Sequence, residues 1–319
     1  MPVAVQPRAP RTAPSAQGGA HSRPRPTGSR ARWAKAPLYL LAITMIVPFY
    51  WMAITAFKPV SEITRNPPSF IPQSPTTVGF SDPEWNPTAD NPGHVAGLFQ
   101  RFTEVDLGFW RFAINSVVVA TAITLLALLT ASLAAYVITK HAVRGRKVIF
   151  LMILGSMMIP WQATLVPNYL VVRNLGWTDS YLGYIVPAIP KAFVVFFLVQ
   201  YLQSIPNDLI EAARIDGAGE WRIWWQVVMP LLRPALAAMS IFVMLNEWNN
   251  FLWPLIIVES DQMANLPVAL ARLNSAFTGA QHMGVIMAAS LLASLPTVVF
   301  FLLFQKHFTR GIAMSGLKG

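Results

Sequence analysis

Two charged side chains, Lys191 and Glu247, stand inside long apolar stretches of this 319-residue chain, and Asn246, Asn249 and Asn250 flank the second. A charge taken out of water is costly unless it is paired or faces a wet cavity. Glu247 and its carboxamides therefore have two readings. Either they meet the hydroxyls of a passing solute, or they form a hydrogen-bond knot between helices. Lys191 follows Pro190 and precedes an apolar run. It either lines the same space or carries its ammonium outward to the polar interface. Aromatic rings stack on the apolar faces of polyhydroxylated molecules while amides fix their orientation. Trp161, Gln162, Tyr169, Trp248 and Trp253 have the side-chain types for that role.

A second informative segment runs from Pro206 to Pro230. Asp208 and Glu211, three apart after a proline, resemble a capping box and open a helix. Leu209, Ala212, Ala213 and Asp216 share one side of it, and the paired alanines allow another surface to approach closely. Gly217 and Gly219 end this helix in a turn. Trp221, Trp224, Trp225 and Val228 follow at helical spacing, an apolar stripe for a second short helix lying at a membrane interface. Pro230 then starts the next apolar block.

Catalytic chemistry is missing from the sequence. There is no G-x-x-x-x-G-K-[ST] and no Gly-Lys pair, so no P-loop. Gly217-Ala218-Gly219 lacks the third glycine and the preceding strand of a dinucleotide fingerprint. His21, His94, His141, His282 and His307 show no metal-ligand spacing, and no G-x-S-x-G occurs. The chain has no cysteine, which excludes disulfides and thiolate metal sites. No cofactor, metal or nucleic acid is expected to bind this chain.

The elements that must position these residues are membrane helices. Hydrophobic residues make up 54% of the chain and charged residues 12%, with a mean hydropathy of +0.47. That charged fraction is about half the ~25% of a soluble domain. About 20 apolar residues cross a bilayer core, and six blocks qualify: 37–57, 112–139, 148–172, 181–203, 231–258 and 283–305. The expected fold is an all-α polytopic membrane protein of six transmembrane helices. Glu247, about 24 Å along its helix from Leu231 at ~1.5 Å per residue, lies in the outer half of the bilayer. Pro48, Pro160, Pro167, Pro187, Pro190, Pro254 and Pro296 fall within the spans and kink them, which suits a transport pathway.

With the N-terminus inside, 17 Lys and Arg fall on the inner side and 6 on the outer, while 9 of the 14 acids fall outside. Positive charge stays inside, so both termini are expected to be cytoplasmic. Residues 1–35 carry Arg8, Arg11, Arg23, Arg25, Arg30, Arg32 and Lys35 and no acid. They read as a disordered basic tail able to lie on anionic headgroups, unlike a cleaved signal peptide. The outer loop 58–111, rich in proline and holding Trp85, Phe99, Phe102, Phe109 and Trp110, is either a loose linker or a partly ordered cap. Gly284-x-x-x-Ala288 has the spacing of a close-packing site.

Glu211-Ala212-Ala213, Gly217 and the ending Val227-Val-Met229-Pro230 resemble the EAA motif of permease subunits of bacterial ABC importers. Val and Met replace the usual apolar pair before the proline. Phe57-Lys58, Pro160-Trp-Gln162, Pro167-x-Tyr169, Leu175-Gly176, Trp248-Asn249-x-Phe251 and Gly316-Leu-Lys-Gly319 occur in the order found in the carbohydrate branch, similar to the maltose permease (MalG) family. The resemblance implies the type I ABC importer permease fold in the bacterial cytoplasmic (inner) membrane. The permease domain would span 36–305 with a coupling loop at 204–230 and a cytoplasmic tail at 306–319. It also implies a dimer of ABC ATPase subunits that bind ATP and Mg, a second permease in a heterodimer, and an extracytoplasmic solute-binding protein. Glu211, Ala212, Ala213, Arg214, Asp216, Gly217 and Pro230 would couple to the ATPase. The segment from Arg310 to Gly319 would supply a second contact. Arg214 and Glu220 would pair with ATPase charges. The competing reading is a secondary transporter using Glu247 and Lys191 as an ion or proton relay.

Overall fold

The computed structural model describes residues 35–82, 96–100, 108–276 and 279–315. Residues 1–34 of the basic tail, Trp85, Phe102 and Gly316 to Gly319 lie outside them. The chain divides into two units at Phe49 and Tyr50. The first contributes most of α1 (Ala36–Ala56), an apolar helix containing Pro48 whose side chains are exposed along this stretch.

The second unit is built around α3 (Gly108–Lys140). Ala120, Ala127, Ala131 and Ala135 recur along one side of α3 and are buried. Small residues let neighbouring backbones approach closely, and α7 (Ala192–Gln203) and α10 (Met229–Trp248) pack there. α4 (Arg146–Met157) lies against α7, while α12 (Leu266–Ala276) and α13 (Met283–Ser315) close the other side. Among the described residues there is no strand.

Four helices are long and apolar enough to cross a membrane, and two bent pairs bring the count to six. The third block is not one rod. α4 ends before Pro160, a 3-10 turn covers Trp161–Thr164, and α5 (Leu165–Asn174) departs at 92°. The fourth block is α6 (Tyr181–Ile185), a 3-10 turn at Val186–Ala188, and α7 at 42° beyond Pro190. The fifth breaks at Asn249–Phe251 before α11 (Leu252–Ile257).

The loop after α1 forms a packed cap in its described parts. α2 (Val60–Ile63) sits at its centre, and Lys58, Glu62 and Asp82 are buried within it. Glu62 accepts from the Ser69 hydroxyl and from the amide of Gln73 at 3.1 Å. The Ser69 hydroxyl holds its carboxyl below the ordinary range, with the Gln73 and Ser74 amides adding to it against the opposing effect of burial. Lys58 donates to the Ser69 carbonyl and stands 4.9 Å from the Trp51 ring centre. Gly284 packs against this cap: a Cβ on Gly79 would stand 2.8 Å from the Gly284 oxygen and 2.7 Å from that of Ala56.

Candidate functional site

The segment 206–230 builds its turn as expected but not its start. α8 (Asp208–Ile215) has Asn207 as N-cap, and no side chain caps it. The capping box of Asp208 and Glu211 does not form. Instead Lys140 donates to Asn207 Oδ1 at 2.8 Å and to the Ile205 carbonyl at 2.7 Å, fixing the entry to α8 from the end of α3. The C-terminus is a Schellman turn: Ala218 N–H donates to Ala213 O and Gly217 N–H to Arg214 O, both at 3.0 Å. Gly217 has φ +76, the left-handed conformation this turn requires.

Ile210 is buried and Ala213 half-buried against the core, while Leu209, Glu211, Ala212, Ile215 and Asp216 are exposed. The small face therefore splits. Ala213 seats the helix on the protein, and Ala212 is presented outward. The tryptophan stripe also divides, with Trp224 and Val228 buried and Trp221 and Trp225 exposed.

The second helix is not a separate element. α9 (Glu220–Ile223) continues through a π turn at Trp224–Val228 into α10, giving one helical run from Glu220 to Trp248. Met229 N–H reaches back to Trp224 O, and the wide turn takes up Pro230, which has no N–H to give. Pro230 thus lies within this run rather than starting a new one.

Arg214 and Glu220 pair with each other, Nε to Oε1 at 2.9 Å and Nη2 to Oε2 at 3.3 Å. The Glu220 carboxylate raises the Arg214 guanidinium above its ordinary range. Tyr136 donates its hydroxyl to Glu220, and His141 Nε2 lies 3.2 Å away. Glu220 therefore joins α8, the foot of the long helical run and the end of α3.

The three helix breaks converge on an open cavity of about 1010 Å³. Trp161 comes from the first break, Lys191 from the second, and Glu247, Asn249 and Asn250 from the third. Broken helices at membrane depth occur where backbone lines a cavity. Lys191 Nζ donates to Glu247 Oε1 at 2.6 Å, and Asn250 Nδ2 to Oε2 at 3.0 Å. The Glu247 side chain is 1% exposed and that of Lys191 28%. Lys191 thus turns inward to its partner instead of reaching for the interface. Asn246 and Asn249 are exposed on the wall.

Gln162, Tyr169 and Trp248 are not among the lining residues. Tyr169 packs on the core, and buried Trp248 donates to the Ala293 carbonyl at 3.2 Å, tying α10 to α13. Trp253 reaches the wall but is 7% exposed, with Nε1 donating to Gly183 O. Thr164, Asn168, Phe193 and Phe242 line the cavity and went unnoticed in the sequence, and so does Phe251, which the sequence marked only as part of the Trp248-Asn249-x-Phe251 pattern. Phe193 and Phe242, nearly fifty positions apart, stand 5.1 Å between ring centres. Phe193 follows the Pro190 break, whereas Phe242 lies within α10 with no such mark beside it in the sequence.

Residues 127–314 match the family described as binding-protein-dependent transport system inner membrane component. The chain belongs to this family. The permease is 34% identical over 279 residues to the arabinooligosaccharides transport system permease protein AraQ of Halalkalibacterium halodurans, covering 88% of this chain and 93% of that one. It is 31% identical over 278 residues to the lactose transport system permease protein LacG of Rhizobium radiobacter, covering 87% and 93%. Its fold is similar to a chain in the crystal structure of a bacterial ABC transporter involved in the import of the acidic polysaccharide alginate. That match has a TM-score of 0.73 at 23% identity and covers 89% of this permease and 99% of that chain.

Proposed function

We propose that this permease forms one half of a carbohydrate pathway across the bacterial cytoplasmic membrane, driven by a separate ATPase dimer that docks on α8. A second permease, forming a heterodimer, completes the pathway, and an extracytoplasmic binding protein delivers the solute. Both termini and α8 lie on the cytoplasmic side. The basic tail 1–35 rests on anionic headgroups, and the chain end beyond Arg310 gives the ATPase a second contact.

One observation carries this reading: the helical run from Glu220 to Trp248 joins the exposed α8–α9 turn to the cavity. Its 29 residues span about 43 Å at ~1.5 Å per residue. Glu220 at one end is locked to Arg214 of α8, and Glu247 at the other stands in the cavity wall. A displacement of α8 is thereby passed to the solute site along one continuous helical run. Glu211, Ala212 and Asp216 face the ATPase. Ala213, Arg214, Gly217 and Pro230 hold the geometry behind them. The ion-relay reading is disfavoured because Lys191 and Glu247 are bound to each other.

The test uses the absence of native cysteine. Ala212→Cys in native membranes, treated with a short thiol crosslinker, is expected to capture an ATP-hydrolysing subunit. Free labelling of the introduced thiol with no ATPase captured at any nucleotide concentration refutes the docking. Uptake that survives loss of ATP but collapses with the membrane potential would restore the relay.

A further inference from the structure

We propose that the Lys191–Glu247 pair makes the cavity electrically neutral and thereby selects uncharged carbohydrate over anionic carbohydrate. The inference rests on the reading of this cavity as half of the solute pathway.

Among the described residues, Lys191 and Glu247 are the only charged ones lining the cavity. They lie 2.6 Å apart, and Asn250 occupies the remaining carboxylate oxygen. Among the described lining residues no cation is left for a carboxylate or phosphate. An anionic solute would have to draw Lys191 away and leave Glu247 buried and unpaired, which is strongly unfavourable.

The helix ends sharpen this dependence. Lys191 is the N-cap of α7, and Glu247 is in the last turn of α10. Each charge sits at the end whose dipole disfavours it, so each depends on the other. A neutral polyol asks for none of this. It needs carboxamides and ring faces, which Asn246, Asn249, Asn168, Phe193, Phe242 and Trp161 supply from the wall. Asn246 makes no side-chain hydrogen bond within the described residues, so its amide is available.

The experiment places Asn246→Cys on the wall of the cysteine-free chain. The permease pair with its ATPase is held in nanodiscs without binding protein, and alkylation of this one chain is followed by mass spectrometry. The probes are neutral trisaccharides, arabinotriose and maltotriose, and the anionic trigalacturonate. A neutral trisaccharide at millimolar concentration is expected to slow alkylation, and trigalacturonate is not. Glu247→Gln frees the Lys191 cation. It is expected to lower the half-protecting concentration of trigalacturonate at least tenfold relative to that of the neutral sugar. Lys191→Gln is expected to give no such shift.

The ratio between solutes does not depend on how much complex assembles, so a variant that folds poorly still reports. The charge-reversed pair Lys191→Glu with Glu247→Lys keeps neutrality and is expected to keep the wild-type preference. Equal protection of the wild type by trigalacturonate and neutral sugar overturns the inference while leaving the cavity as pathway. An unchanged ratio in Glu247→Gln also overturns it. Ready alkylation with no protection by any solute removes the pathway reading itself, and the inference with it.

Discussion

Gly217→Ala isolates the left-handed turn between α8 and α9. Gly217 has φ +76, and a Cβ there meets nothing within 4 Å, so the substitution strains the backbone without a steric clash. An L-residue in this conformation costs roughly 1–2 kcal/mol. Each ~1.4 kcal/mol is a factor of ten, so the native turn loses about 5- to 30-fold against alternatives. If the ATPase recognises α8 in this pose, its affinity for the permease complex falls by the same factor. Asparagine enters the left-handed region more readily, and Gly217→Asn is expected to weaken binding by less than about threefold. Gly219, two residues on, has φ −70 and ψ 157, which any residue adopts, and it is the N-cap of α9. Gly219→Ser supplies a capping oxygen and is expected to bind as well as the wild type or better. The assay is titration of the cognate ATPase onto the permease pair in nanodiscs, with hydrogen exchange of the 208–223 amides as a local readout. Wild-type affinity in Gly217→Ala, or equal damage from Gly219→Ser, would refute the reasoning.

Three further expectations concern stability. Asn115 is fully buried and donates to the Gln262 and Ala264 carbonyls at 2.8 Å while accepting from the Tyr181 hydroxyl at 2.7 Å. Asn115→Ala strands these groups and is expected to cost about 2–4 kcal/mol, read as a lowered melting temperature. Gly79→Ala drives a Cβ to within 2.8 Å of two carbonyl oxygens, and overpacking of this kind costs about 1–3 kcal/mol. Faster proteolysis of the 58–82 cap would report it. Burial pushes the Asp179 carboxyl up, but the Ser260 hydroxyl and the amides of Ser260 and Glu259 outweigh this and hold it below the ordinary range. A depressed folded-state pKa contributes stability that is present above the unfolded value of ~3.9 and lost as pH falls through the folded one. Asp179→Asn, which tolerates the positive φ of 53 at this site, is expected to destabilise at neutral pH. Its deficit should close in acid; a pH-independent deficit would refute the assignment.

Local chemistry was legible in the sequence. The EAA-like segment is contiguous, so its helix, its glycine turn and its exposed Ala212 followed from residue types alone. The span positions followed from apolar blocks of membrane length. What sequence missed there depended on distant groups. Lys140, 67 residues upstream, takes Asn207 and displaces the capping box. Ile210 needs a core to sit on, and that turns Ala213 inward. A π turn at Trp224–Val228, which helical spacing does not announce, fuses the second helix to the fifth span.

By itself the sequence determined that the chain has several apolar blocks of membrane length, that a short helix ends at a glycine turn near 217, and that two charges lie within its spans. Only the tertiary structure decided that those two charges are one ion pair. Lys191 and Glu247 are 56 positions apart and sit at the ends of different helices. Their meeting depends on breaks in three spans that open on one cavity, two of them bends at prolines, and on the alanine side of α3 that lets α7 and α10 approach. Hydropathy is a sum along the chain and fixes how many helices form. A cavity is a property of how they cross, which the packing of distant side chains decides.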